Sequence, residues 1–138
     1  MSNIAKSTTE KIITDTPMTL AQAVLYGVAI NGGTVEIGRN RDVYELLETC
    51  EFPENHTIIG LAVHTTGWAA PTNENGEVEG RPSEHPERQR CALVVCRTAQ
   101  EFCSAVKLES RDEVEYEEEE AQGSLWEALG DCLARLGA

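Results

Sequence analysis

Residues 57–63 read TIIGLAV, and residues 91–96 read CALVVC between Arg90 and Arg97. Both stretches are short, rich in β-branched residues and apolar throughout. That pattern predicts strands covered on both faces. From the second stretch the chain reaches Thr98-Ala99-Gln100, which reads as a short hairpin turn, and then a run over 101–108 that alternates. Phe102, Ser104, Val106 and Leu108 would share one face of that strand, with Cys103, Ala105 and Lys107 on the other. Val114 and Tyr116 continue the alternation after a turn at Ser110-Arg111-Asp112. Consecutive strands joined by short turns predict a meander.

Helical periodicity surrounds this β region. Leu125, Leu129, Cys132, Leu133 and Leu136 form an amphipathic stripe, with Ser124 and Glu127 in capping-box spacing. Val43, Leu46, Leu47 and Cys50 fall at i, i+3, i+4 and i+7. They predict a helix capped by Asn40, with Asp42 in its first turn, and ended by Pro53. Residues 17–30 also read as a helix. Thr19 and Gln22 have capping-box spacing, the surface from Leu20 to Ile30 is broadly apolar, and Asn31-Gly32-Gly33 is a left-handed stop. Thr34–Ile37 is a short strand. Residues 1–16 are polar without a period and read as a flexible arm. The expectation is therefore an α+β fold over 17–138. A small antiparallel meander of three to five strands is packed by about three helices.

The chain has 138 residues, with 11 Lys and Arg against 24 Asp and Glu, for a net charge of −13. That balance excludes a general nucleic-acid binder and a polybasic membrane-surface protein. No stretch reaches the length of a membrane span, and no apolar segment near the N-terminus reads as a secretory signal. A cytoplasmic protein is expected. Its five cysteines, none in Cys-x-x-Cys spacing, then read as reduced, mostly buried thiols.

No residue type stands in a pattern that assigns catalysis, a cofactor or a metal. Ser83, Glu84 and His85 are adjacent in sequence, which does not build a triad. His56, His64, His85, Cys91, Cys96 and Cys103 lack zinc-site spacing, and Cys91 and Cys96 would point to opposite faces of one strand.

Two features point instead to a partner. The acidic run over 109–120 holds Glu109, Asp112, Glu113, Glu115, Glu117, Glu118, Glu119 and Glu120 against Arg111 alone. It reads either as a solvated linker or as a mimic of phosphates for a basic groove. The long segment over 69–88 has no apolar period, and a connection of that length is usually functional or disordered. Arg81, Arg88, Arg90 and Arg97 lie in or beyond it and could answer the acidic run across the hairpin. Trp68 stands where the strand meets the loop, either as a lid on the core or as an interface anchor. Trp126 is expected to be buried against the sheet.

Trp68, the loop, Arg81-Pro82-Ser83, His85-Pro86 and Arg88 together resemble a motif of small uncharacterised proteins of actinobacteria and their phages. In that group a strand ends in Trp, and Arg-Pro-Ser-x-His-Pro-x-Arg leads into the next strand. The resemblance covers about residues 57–110 and implies a phage or mobile-element origin, with no activity attached. The combined expectation is a non-catalytic interaction protein acting on a host or viral protein, a nucleic-acid-handling one among the candidates. Its contacts would come from Trp68, Arg81, His85 and Arg88 together with Glu113, Glu115, Glu117, Glu118, Glu119 and Glu120. The alternatives are a self-assembling phage structural protein and an enzyme with a site in the 64–88 region using His64 and His85.

Overall fold

The buried runs TIIGLAV and CALVVC lie in the two central strands of a six-stranded antiparallel sheet. The computed structural model describes residues 4–52, 57–70, 74–77, 80–81, 84–117 and 124–136. In chain order the elements are α1 (Ile4–Asp15), β1 (Ala23–Ala29), β2 (Thr34–Asn40), α2 (Val43–Thr49), β3 (Ile58–Ala69), β4 (Gln89–Thr98), β5 (Phe102–Leu108), β6 (Val114–Glu117) and α3 (Ser124–Leu136). The sheet order is β2-β1-β3-β4-β5-β6. The α+β class and the β3-to-β6 meander are as the sequence predicts. The sheet is larger than expected, because residues read as helix form one of its strands.

That strand is β1. Its sequence, AVLYGVA, is apolar without interruption and nearly all buried. A short apolar run of this kind fits a doubly covered strand and a buried helix equally well by periodicity. The turn residues settle the difference. Asn31-Gly32-Gly33 makes the β1–β2 hairpin: Gly33 N donates to Asn31 Oδ1 at 2.9 Å, Ala29 N donates to Gly33 O at 2.8 Å, and Gly32 takes a φ of 85°. The left-handed glycine is present, but it reverses a strand where a helix end was expected.

The expected flexible arm contains α1. Its buried residues are Ala5, Thr8, Thr9, Ile12 and Ile13, an i, i+3, i+4, i+7, i+8 stripe. Two of the five positions are threonine, which hides the stripe from a reading by hydrophobicity. The hydroxyl of Thr9 is accommodated by donating back to Ala5 O at 2.7 Å. α2 begins one cap later than expected. Asp42 Oδ1 accepts from Tyr44 N at 2.9 Å and Glu45 N at 3.3 Å, while Asn40 Oδ1 accepts from Asp42 N at 2.8 Å. α3 forms where its stripe predicts; the Ser124 side chain lies outside the described residues.

Alternation along the central strands divides the core in two. Leu61 and Val63 of β3 face α2 and α3, where they meet Leu25, Leu46, Leu47, Val95, Trp126, Leu129 and Leu133. Ala62 of β3 faces α1 with Val94, Cys96, Cys103, Ala105, Ile12 and Ile13. Small residues dominate under α1, which lets that helix sit close to the sheet. β2 and β3 both run antiparallel to β1 and are therefore parallel to each other, so α2 carries the chain across β1 between them. The two-residue β4–β5 turn is closed by Thr98 N donating to Glu101 O at 2.8 Å and by Thr98 Oγ1 accepting from Gln100 N and Glu101 N.

Gly60 marks a close strand contact made against backbone. A Cβ there would stand 2.7 Å from both Arg97 O and Thr98 Cγ2. Because one of these is backbone, the clash cannot be relieved by a rotamer change. Gly60→Ala is expected to lower stability by about 1–3 kcal/mol. Gly67→Ala, where a Cβ meets nothing within 4 Å, should stay within about 0.5 kcal/mol of the parent. Urea unfolding of the two variants checks the contrast.

Candidate partner-binding surface

At the C-terminal end of β3, Trp68 pairs with Arg90 of β4. The indole remains 39% exposed. The guanidiniums of Arg88 and Arg90 each lie 5.0 Å from its ring centroid, within cation–π range. Among the described residues no carboxylate lies within ion-pair distance of Arg88 or Arg90. The strand fixes Trp68 and Arg90 by register, and the loop fixes Arg88. Arg88 N donates to His85 O at 3.1 Å and Arg88 Nη1 donates to the same oxygen at 3.2 Å. His85 Nδ1 in turn accepts from Glu87 N at 3.0 Å, which leaves its proton on Nε2. Glu84 N donates to Arg81 O at 3.0 Å. Residues 81 and 84–88 thus fold into consecutive turns, with Arg81 exposed; Pro82 and Ser83 lie outside the described residues.

The arginines do not answer the acidic run among the described residues. Arg97 places its guanidinium 4.2 Å from the Trp126 ring centroid and donates to Trp126 O at 3.2 Å. The described basic partner of the run is local: Arg111 Nη1 meets Glu115 Oε1 at 3.1 Å. The first part of the run forms the β5–β6 turn and edge strand β6. Glu115 and Glu117 stand opposite Val106 and Ser104, and Glu113, Glu115 and Glu117 are all exposed. Tyr116 stands opposite Ala105 on the α1 side, where burial, followed by the charge of Glu10, pushes its phenol up. Glu118, Glu119 and Glu120 lie outside the described residues.

Strand order brings the two candidate patches to one end of the sheet. Glu109 N donates to Arg90 O at 2.9 Å, so the β5–β6 turn begins beside the strand position that flanks Trp68. With strands spaced about 4.8 Å apart, β3 and β6 are separated by ~15 Å. That distance lies within the span of an ordinary protein interface. The end of the sheet therefore combines an aromatic residue, two guanidiniums with no carboxylate partner among the described residues and, at its far side, an acidic rim.

His64 belongs elsewhere. It sits in the middle of β3 between Val24 and Val94, fully buried on the α1 side of the sheet. Neither ring nitrogen has a hydrogen-bond partner. His85 lies in the exposed turns, so the structure does not gather the two histidines into one site. No group of three or more His, Cys, Asp or Glu side chains capable of holding a metal occurs among the described residues. No described helix is long and apolar enough to cross a membrane.

A feature without a motif lies at the opposite end of the sheet. Ile4, Ile30, Ile58, Ile59, Thr98 and Glu101 line a groove of about 520 Å³, with Ile30 68% exposed on its rim and Glu101 Oε1 buried without a partner. Its residues come from four separate segments, so no local signal in the sequence could assemble it. The class defined by this architecture is an α+β protein with one antiparallel sheet held between α1 and the α2–α3 pair. No protein-family model matches the chain, and no curated protein or solved structure matches it either.

Burial pushes the His64 imidazole below its ordinary pKa. In the unfolded chain the ring takes its proton near about pH 6.5, and in the folded protein only at lower pH. Between those values the unfolded state binds more protons, so stability falls as pH drops through this window. The urea midpoint should decrease from pH 8 to pH 5, and His64→Leu should flatten that decrease.

Proposed function

We propose that the protein is a non-catalytic binding protein of phage or mobile-element type. It attaches to a host or viral protein through the end of the sheet that carries Trp68. The observation that carries this reading is the half-exposed indole with the Arg88 and Arg90 guanidiniums both against its ring, in a chain whose acids outnumber its bases by more than two to one. An Arg with no carboxylate partner among the described residues is unexpected where carboxylates are so abundant. Trp and Arg are also the residue types most enriched at energetically dominant contact points. Stacking fixes the three side chains before a partner arrives, which lowers the entropy lost on binding.

The acidic rim supports a partner with a basic surface, as a nucleic-acid-handling protein of the host cytoplasm would present. Glu113, Glu115 and Glu117 would steer the encounter, and Trp68 would hold the complex. Self-association is the competing reading, because β6 is a short strand at the edge of the sheet among the described residues.

Affinity capture from an actinobacterial host, followed by binding measurements on the purified captured protein, tests the proposal. Trp68→Ala should weaken binding at least about 30-fold, as expected for loss of a central anchor worth ~2 kcal/mol. The combined Glu113→Gln, Glu115→Gln and Glu117→Gln variant should slow association about tenfold at low salt and much less at moderate salt. Binding that ignores both changes would overturn the reading. Capture of the chain by itself alone would transfer it to self-assembly.

A further inference from the structure

The geometry points to Cys50 and Cys132 as a site of reversible oxidation, at which a small disulfide such as oxidised glutathione converts the two thiols into an intramolecular disulfide joining α2 to α3. Cys50 caps the C-terminal end of α2, and Cys132 lies in the middle of α3. They are 82 positions apart in sequence, yet their sulfurs stand 3.7 Å apart in direct thiol–thiol contact. A bonded pair needs a separation of ~2.05 Å. Closing the gap requires movement mainly at Cys50, which follows the last residue of α2 and has extended backbone. No helical hydrogen bond beyond it has to break.

Sulfur proximity together with access at one member distinguishes this pair from the other cysteines. Cys50 is half-buried. Its sulfur has Arg135 Nη2 at 3.8 Å. Cys132 opens onto a crevice of about 100 Å³ between the helices, lined also by Tyr44, Leu47, Glu48, Asp131 and Arg135. Cys96 and Cys103 are also neighbours, directly opposite in the β4–β5 register, but both are sealed under α1. Cys91 stands on the other face of β4. A sealed pair gives an oxidant no approach, whereas the helix pair has an entry at half-buried Cys50.

The chemistry is a two-step exchange. The Cys50 thiolate attacks one sulfur of oxidised glutathione, forming a mixed disulfide and releasing one glutathione thiolate. Cys132 then loses its proton to solvent and attacks the Cys50 sulfur, expelling the second glutathione. Two protein thiols are oxidised, and one glutathione disulfide is reduced to two thiols. Burial, with Cys50 adding to it, pushes the Cys132 thiol up to about 12, so Cys132 waits as the protonated resolving partner while Cys50 meets the oxidant.

The full-length protein, incubated in graded glutathione redox buffers and measured by intact mass and peptide mapping, tests this assignment. The expected product has lost two hydrogens, carries a Cys50–Cys132 cross-link, and reverts with excess reduced glutathione. Cys132→Ser should retain glutathione on Cys50, and Cys50→Ser should show neither a cross-link nor an adduct on Cys132. Wild-type protein that keeps glutathione on Cys50 without closing the ring would overturn the proposal. So would a Cys96–Cys103 cross-link formed first, or complete resistance to the oxidant.

Discussion

The ten-residue register between β3 and β4, from Gly60 opposite Thr98 to Ala69 opposite Gln89, is the constraint from which the other features follow. It places the apolar stretches 58–63 and 91–96 side by side, and each stretch needs cover on both faces. Helices must then cover both sides. The same register puts Trp68 beside Arg90 at one end. At the other, Gly60 lies against the backbone of Arg97 and Thr98. The exposed cluster and the close strand approach are thus two ends of a single ladder.

Scarce cations are used in an unusual way around this ladder. Arg97 and Arg135 of this acidic chain bond to carbonyl oxygens and aromatic rings in preference to carboxylates. Arg97 lies over Trp126 and donates to its carbonyl, which ties β4 to α3. Arg135, in the last turn of α3, donates to Leu47 O at 2.8 Å, Glu48 O at 3.0 Å and Cys50 O at 3.2 Å. These are the carbonyls that the end of α2 leaves without intrahelical partners, so one side chain caps a neighbouring helix. Arg88 and Arg90 follow the same habit on the surface, with Trp68 as the ring. The difference is exposure, which leaves their remaining donors to an incoming group.

Legibility of the fold tracked the physical source of each signal. The strands β3 to β5 and the helices α2 and α3 were readable because hydrophobic period and boundary residues agreed. β1 was misread because a doubly buried strand carries no period. Its hairpin glycines could have corrected the reading, since Asn31-Gly32-Gly33 leads directly into the alternating strand β2. α1 was missed because Thr8 and Thr9 occupy core positions, and Thr9, which returns its hydroxyl to the backbone, packs like valine. The surface was half legible. Trp68 announced itself by its place before the loop, but its contact with Arg88 and Arg90 depends on cross-strand register and loop turns together. Among the described residues Arg88, Arg90 and Arg97 meet aromatic faces and open carbonyls where the acidic run was expected.

The docking of α1 has a consequence for how the chain is made. This helix leaves the ribosome before the strands it covers, because its apolar stripe packs on β4 and β5, about 90 residues downstream. At ordinary synthesis speeds of about 5–20 residues per second, the stripe waits some 5–20 s for its seat to exist. Through that interval Thr8 and Thr9 in place of larger apolar residues make the waiting face less adhesive. The substitutions that disguise the helix in the sequence also temper it as a nascent segment.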